Sequence, residues 1–241
     1  MRTLYDCPNF TLAFIQIFVD NIQYLVLYTA NTQNSAICLL HVLILVCILT
    51  TYLISIHRGH VNAELPFISS TGAYPPESCI FGEGLNLAAF ISLICSFFWY
   101  LIALERTKFM GIHQPKCVLN FMLLLSLVAS IGLTLVGNFQ QVNVELIHDI
   151  GAGMAFFGTT IYIILCALVS KRYLGTHWCI WAFRLLLGIM AGITSSFFSI
   201  CHTVSRINFN GTQEESLTYR HPGQGIVRKH PSESDIYSLK S

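Results

Sequence analysis

The residues best suited to chemistry fall in two short stretches. His148 and Asp149 adjoin, an imidazole beside a carboxylate that could hold a metal ion or pass a proton. His57, His60 and Glu77 are the nearest further candidates. No His-x-x-x-His or Cys-x-x-Cys spacing supports a metal centre, so none is expected. Asp149 reads more simply as a helix N-cap, its carboxylate accepting from backbone N–H groups at the positive end of the helix. The stretch Pro66 to Gly82 supplies Ser69, Thr71 and Glu77, with Gly72 and Pro75-Pro76 setting a turn. Such a segment suits a ligand pocket or, the reading favoured here, a rigid cap over the mouth of a helical bundle. No Gly-x-Ser-x-Gly elbow, phosphate-binding glycine loop or paired-carboxylate motif occurs, so no catalytic residue and no cofactor is expected.

The elements that position these residues are apolar helices. Of 241 residues, 54% are hydrophobic and only 10% charged, and the mean hydropathy is +0.62, against about 25% charged residues in soluble domains. A net charge of +1 without a basic cluster excludes nucleic acid as a partner. Windows free of Asp, Glu, Lys and Arg that are long enough to cross hydrocarbon run Ala36–Ile56, Gly84–Leu104, Cys117–Val136, Ile150–Ser170 and Leu185–Ser205. The fold class is therefore all-α, a polytopic transmembrane helical bundle of five spans over residues 36–205. Residues 1–35 form an N-terminal extension in which Phe10 to Ala30 reads as an interfacial helix in preference to a span, with no signal-peptide cleavage pattern. Residues 206–241 are a polar tail too poor in apolar groups to bury a core, and disorder is expected there.

Lys and Arg set the orientation. Arg106, Lys108 and Lys116 lie between the second and third spans and Lys171-Arg172 follow the fourth, which places both connections in the cytosol. The segments His57–Glu83 and Gly137–Asp149 then lie on the lumenal or extracellular side, as does the tail with its sequon Asn210-Gly211-Thr212. The sequon at Asn9 falls on the cytosolic side. Cys38, Cys47, Cys95, Cys166 and Cys201 sit within apolar runs and read as packing residues. Small residues four apart, Gly188, Gly192 and Ser196, Gly151, Ala155 and Thr159, and Ser126 with Ser130, predict that the last three spans meet. Polar His41 and Asn86 within spans predict structural pairing. Arg184 lies near the cytosolic boundary, where it can snorkel to headgroups or clamp an acidic lipid.

One string goes beyond composition. Pro66-Phe67-Ile68-Ser69-Ser70-Thr71-Gly72, a short spacer, then Pro76-Glu77-Ser78-Cys79-Ile80-Phe81 resembles the signature loop of the DRAM/Frag/Sfk family (the Cwh-type N-terminal domain), with Phe67 for its tyrosine and Ser70 for its aspartate. Asn138-Phe139-Gln140 resembles the family's Asn-Phe-Gln element. His148, Gly151, Ala152, Ala155 and Phe156 resemble the opening of its fourth span, and Trp181 to Leu187 the start of its fifth. Gly59-His60-Val61 is most like the DRAM, or damage-regulated autophagy modulator, branch.

The resemblance implies a six-span plan, the last span carrying a Glu-Trp pair. No sixth apolar window occurs here, and an alternative or truncated C-terminal end would account for that. It also implies a lysosomal or other endomembrane protein that modulates autophagy through membrane lipids or membrane-protein partners. Other branches resemble factors that remodel GPI anchors or regulate phosphoinositide signalling at the plasma membrane. A transporter or channel component ranks last, since no span contains an interior acidic residue.

Overall fold

Proline and glycine punctuate the apolar segments, and several of the helix ends fall at them. The computed structural model describes residues 36–61, 63 and 66–207. Five of its helices are long and apolar enough to cross a membrane: α1 (Ala36–His57), α3 (Glu77–Phe109), α4 (Lys116–Asn138), α5 (Glu145–Tyr173) and α6 (Trp178–Ile207). A single turn, α2 (Ile68–Thr71), lies between the first two. Pro76 and Pro115 occupy the positions just before α3 and α4, where a missing N–H costs nothing. Gly59, Gly111 and Gly175, with φ of 71°, 66° and 54°, follow α1, α3 and α5 and turn the chain out of the helix.

Each span outruns its charge-free window. α3 starts seven residues before Gly84, so its 33 residues are about 50 Å long at 1.5 Å per residue, more than the roughly 30 Å of a hydrocarbon core. Charge stops insertion into hydrocarbon, but it does not stop a helix: Glu77 suits the positive end of α3, and Arg106 and Lys108 its negative end. Two expectations are corrected as a result. Glu77, Cys79 and Phe81 belong to the first turns of α3 and not to a loop. Asp149 lies one turn inside α5, which begins at Glu145, so it is no N-cap; Val144 holds that position without a side-chain cap.

α4 packs between α3 and α5, and α5 between α4 and α6. The predicted meeting of the last three spans is present, on a partly different set of residues. A Cβ on Gly132 would lie 2.6 Å from both Ala155 N and Gly151 O, so the backbones of α4 and α5 touch. On the α5–α6 side, a Cβ on Gly188 would come 2.7 Å from Ile164 Cγ1, and one on Gly192 3.2 Å from Thr160 Cγ2. Ser126 and Ser130 are buried, whereas Ser196 and Thr159 are exposed and lie off the contact stripe.

Two apolar clusters mark the two ends of the bundle. Trp99, Ala103, Leu119, Met122, Cys166 and Val169 join α3, α4 and α5 at one end. Cys47, Phe81 and Leu85 join α1 to α3 at the other. Cys38 and Cys201 face outward, while Cys47, Cys95 and Cys166 are buried; the described cysteines are all thiols. Phe10 to Ala30, Asn9, Asn210 and nearly all of the 206–241 tail lie outside the described residues.

Candidate functional site

The chain leaving α1 is turned at Gly59 so that His60, its N–H donating to Ser55 O, faces the first turn of α3. There the Glu77 side chain is fully buried and its Oε1 pairs with His60 Nδ1. The second oxygen, Oε2, is buried with no hydrogen-bond partner among the described residues. Tyr74 packs its ring 5.2 Å from that of His60, and its carbonyl accepts from Ser78 N. Burial pushes the Tyr74 phenol above its ordinary value.

α2 seats the remaining polar groups of this stretch. Thr71 Oγ1 donates to Ile68 O at 2.7 Å and lies 3.3 Å from Thr51 Oγ1 of α1, both threonines being buried. Ser69 Oγ donates to Gln141 Oε1 at 2.7 Å, which ties the Pro66–Gly82 stretch to the α4–α5 turn. Gly72 sits beneath the Phe81 ring, where any Cβ would overlap it. The peptide between Pro75 and Pro76 is cis.

The α4–α5 turn is held by its own side chains. Asn138 Nδ2 donates to Asn86 Oδ1 at 2.9 Å and to Thr134 O at 2.8 Å, and Asn86 Nδ2 returns a bond to Asn138 Oδ1 at 3.2 Å. Gln140 accepts from Asn143 through both its backbone and its side-chain oxygen. Buried His148 has Nδ1 2.8 Å from Phe139 O, a geometry in which the imidazole N–H donates and the bridge between α5 and the turn is closed. Beside it, His202 of α6 stands 3.9 Å from a carboxylate oxygen of Glu145 and 3.9 Å from one of Asp149. The Phe198 ring stacks on His202 and meets Phe67 edge-on, so α6 also reaches the Pro66 stretch.

The predicted site residues thus divide by what they touch. Ser69, Thr71, Glu77, Asn138, Phe139 and His148 each make a hydrogen bond, in separate pairs. Gly72, Phe81 and Gly151 act in packing: Gly151 lies against α4, where a Cβ would come 2.8 Å from Gly132 O. Ile68, Pro76 and Cys79 are exposed, and Pro66, Gln140 and Ala152 are half-buried. His57 is exposed and takes no part in the His60–Glu77 pair.

Residues missed from the sequence are Thr51, Gln141 and His202. Glu145, Asp149 and His202 bring one donor atom each within 4.8 Å of one another, a grouping from two helices that no spacing motif reveals. A lone His in an apolar run, with Glu145 and Asp149 four apart on one helix face, was the available signal. The reciprocal Asn86–Asn138 pair fulfils the expectation for Asn86, while His41 has Nδ1 2.7 Å from Ile37 O of its own helix. Asn86→Ala and Asn138→Ala should each lower stability by about 1 kcal/mol, and the double variant little more, as measured by unfolding in detergent micelles.

A family profile described as the Frag1/DRAM/Sfk1/Cwh43P N-terminal domain matches residues 34–228, which include every element described above. The chain belongs to this family. The Frag1/DRAM/Sfk1/Cwh43P match also runs past Ser205 into the polar tail. Among relatives in the family, the human DNA damage-regulated autophagy modulator protein 1 is 37% identical over 123 residues, 51% of this chain and 51% of its own length. The protein of the same name from Xenopus laevis is 30% identical over 175 residues, covering 69% of this chain and 71% of the relative. A modulator of macroautophagy, TMEM150B of Xenopus tropicalis, is 35% identical over 133 residues, 52% of this chain and 55% of the relative. The chain spans about half the length of the mammalian modulator 1 relatives it matches. No solved structure matches.

Proposed function

We propose that this protein is a non-enzymatic modulator of autophagy in a lysosomal or other endomembrane, with the signature end of its bundle in the lumen, acting through membrane lipids or membrane-protein partners. The observation that carries this reading is the set of relatives named for autophagy, which match between half and about two thirds of the chain, within a family whose profile covers the helical bundle. The geometry of the site agrees with it: Ser69, Thr71, His148 and Asn138 spend their hydrogen bonds on neighbouring elements, as a cap does and an open catalytic pocket does not. The basic ends of α3 and α5 lie opposite the signature end, which favours the lumenal orientation. In that orientation Asn210 is available to the glycosylation machinery.

Deleting the gene and measuring autophagic flux tests this. Altered flux with unchanged GPI-anchor lipids is expected, together with a lysosomal position for the tagged protein. Altered anchor lipids with normal flux, or concentration at the plasma membrane, would favour the lipid-remodelling or phosphoinositide branch instead.

A further inference from the structure

Arg184 lies six residues into α6, about 9 Å along the helix from Trp178. Arg184 is half-buried and its guanidinium is tied to α5: Nη1 donates to Ser170 Oγ at 2.7 Å, and Ser170 is fully buried. The neighbouring cations behave differently, Lys171 standing over the Trp181 ring and Arg172 over that of Tyr173. Arg184 also lines a cavity of about 330 Å³ with His41, Trp99, Tyr162 and Cys166, and none of the lining residues is acidic. A guanidinium keeps its charge at any accessible pH and carries five donors. In a membrane-embedded cleft, a lasting positive charge calls for an anion.

The shape of the cleft says which anion. A second cavity of about 260 Å³, reaching Leu133, Ala155 and Ser195, shares Ser92, Ala129 and Thr159 with the first, so the two adjoin in a line leading away from Arg184. Its walls are mainly apolar with a few hydroxyls. A larger hollow of about 560 Å³ between α3 and α4, lined by Leu93, Phe97, Asn120 and Leu127, has no charged residue and suits ordinary bilayer lipid.

We propose that the cleft among α1, α3, α4, α5 and α6 binds one anionic phospholipid, its phosphate against Arg184 and one acyl chain along Trp99, Tyr162 and Thr159. The inference stands on the membrane-spanning fold and not on the autophagy reading, so the two fail separately.

The test uses full-length protein in phosphatidylcholine nanodiscs containing a trace of phosphatidic acid with a photoactivatable acyl chain, beside the same label on phosphatidylcholine. Phosphatidic acid should label cleft peptides of α3 and α5 several-fold more than phosphatidylcholine, while labelling at Phe97 and Leu127 is equal for both. Arg184→Ala should lower cleft labelling about tenfold, the loss of one charge-assisted contact. Thr159→Trp, which fills the shared waist and leaves the guanidinium in place, should lower it as well, so the result does not hang on one variant's folding. Elution as a single species qualifies each variant. Excess inorganic phosphate should leave the labelling unchanged. Displacement by phosphate, equal labelling by both lipids, or labelling unmoved by both substitutions overturns the proposal.

Discussion

His60→Ala should destabilise the protein by about 2 kcal/mol, the cost of leaving a buried polar group without its hydrogen-bond partner. Glu77 is fully enclosed, one of its oxygens already has no hydrogen-bond partner among the described residues, and His60 holds the other. Taking away the imidazole leaves both oxygens of an enclosed carboxyl group without a hydrogen-bond partner among the described residues. Glu77→Ala should cost less, since it empties a small space and leaves His60, a quarter exposed, able to hydrate. Replacing both by apolar groups of similar size, His60→Leu with Glu77→Met, should restore most of the stability, because desolvation offsets most of what a buried pair gains. Unfolding of the purified protein in micelles, read as a double-mutant cycle, measures all three. A neutral His60→Ala would mean that water reaches Glu77 and that the signature end is open.

The second large effect concerns α4 and α5. Gly132→Ala should cost about 2 kcal/mol by overpacking, because the new methyl meets Ala155 N and Gly151 O, backbone atoms that cannot rotate away. Lipid tails offer no hydrophobic drive for helices to associate, so this interface depends on close contact and loses it when the backbones part. Gly153→Ala, on the partner helix α5, adds a methyl that meets nothing within 4 Å and should gain several tenths of a kcal/mol from helix propensity alone. The contrast separates contact from propensity. Thermal unfolding in micelles, with elution profile as a second readout, should move the two variants in opposite directions.

Both effects bear on how much of the molecule the sequence discloses. Absence of charge over about twenty residues locates all five spans among the described residues, because an unsatisfied peptide group in hydrocarbon is costly enough to compel a helix. The same criterion misplaces helix ends: Glu77 and Glu145 are charged and still helical, since a carboxylate suits the first turn. The Pro66 to Phe81 string is recognisable in one dimension, but its division into polar network, packing and exposed residues is not. Gly72 looks like a turn residue and serves to admit the Phe81 ring. Gln141 carries no local signal, and His202 only that of a lone His in an apolar run, for their partners Ser69, Glu145 and Asp149 come from other elements. For Arg184 the sequence leaves a snorkelling anchor and a clamp on an acidic lipid equally open, and does not disclose its bond to Ser170 of α5.

The central claim is that the signature residues gather at one end of a five-span bundle, and that this end faces away from the cytosol. Epitopes inserted at exposed Ala63, beside the signature stretch, and at exposed Ile112, in the connection at the opposite end, test it in cells whose plasma membrane alone is permeabilised. Antibody should reach the Ile112 tag at once and the Ala63 tag only after the internal membranes are dissolved. Staining at Ala63 while those membranes are intact, with Ile112 protected, would contradict the account.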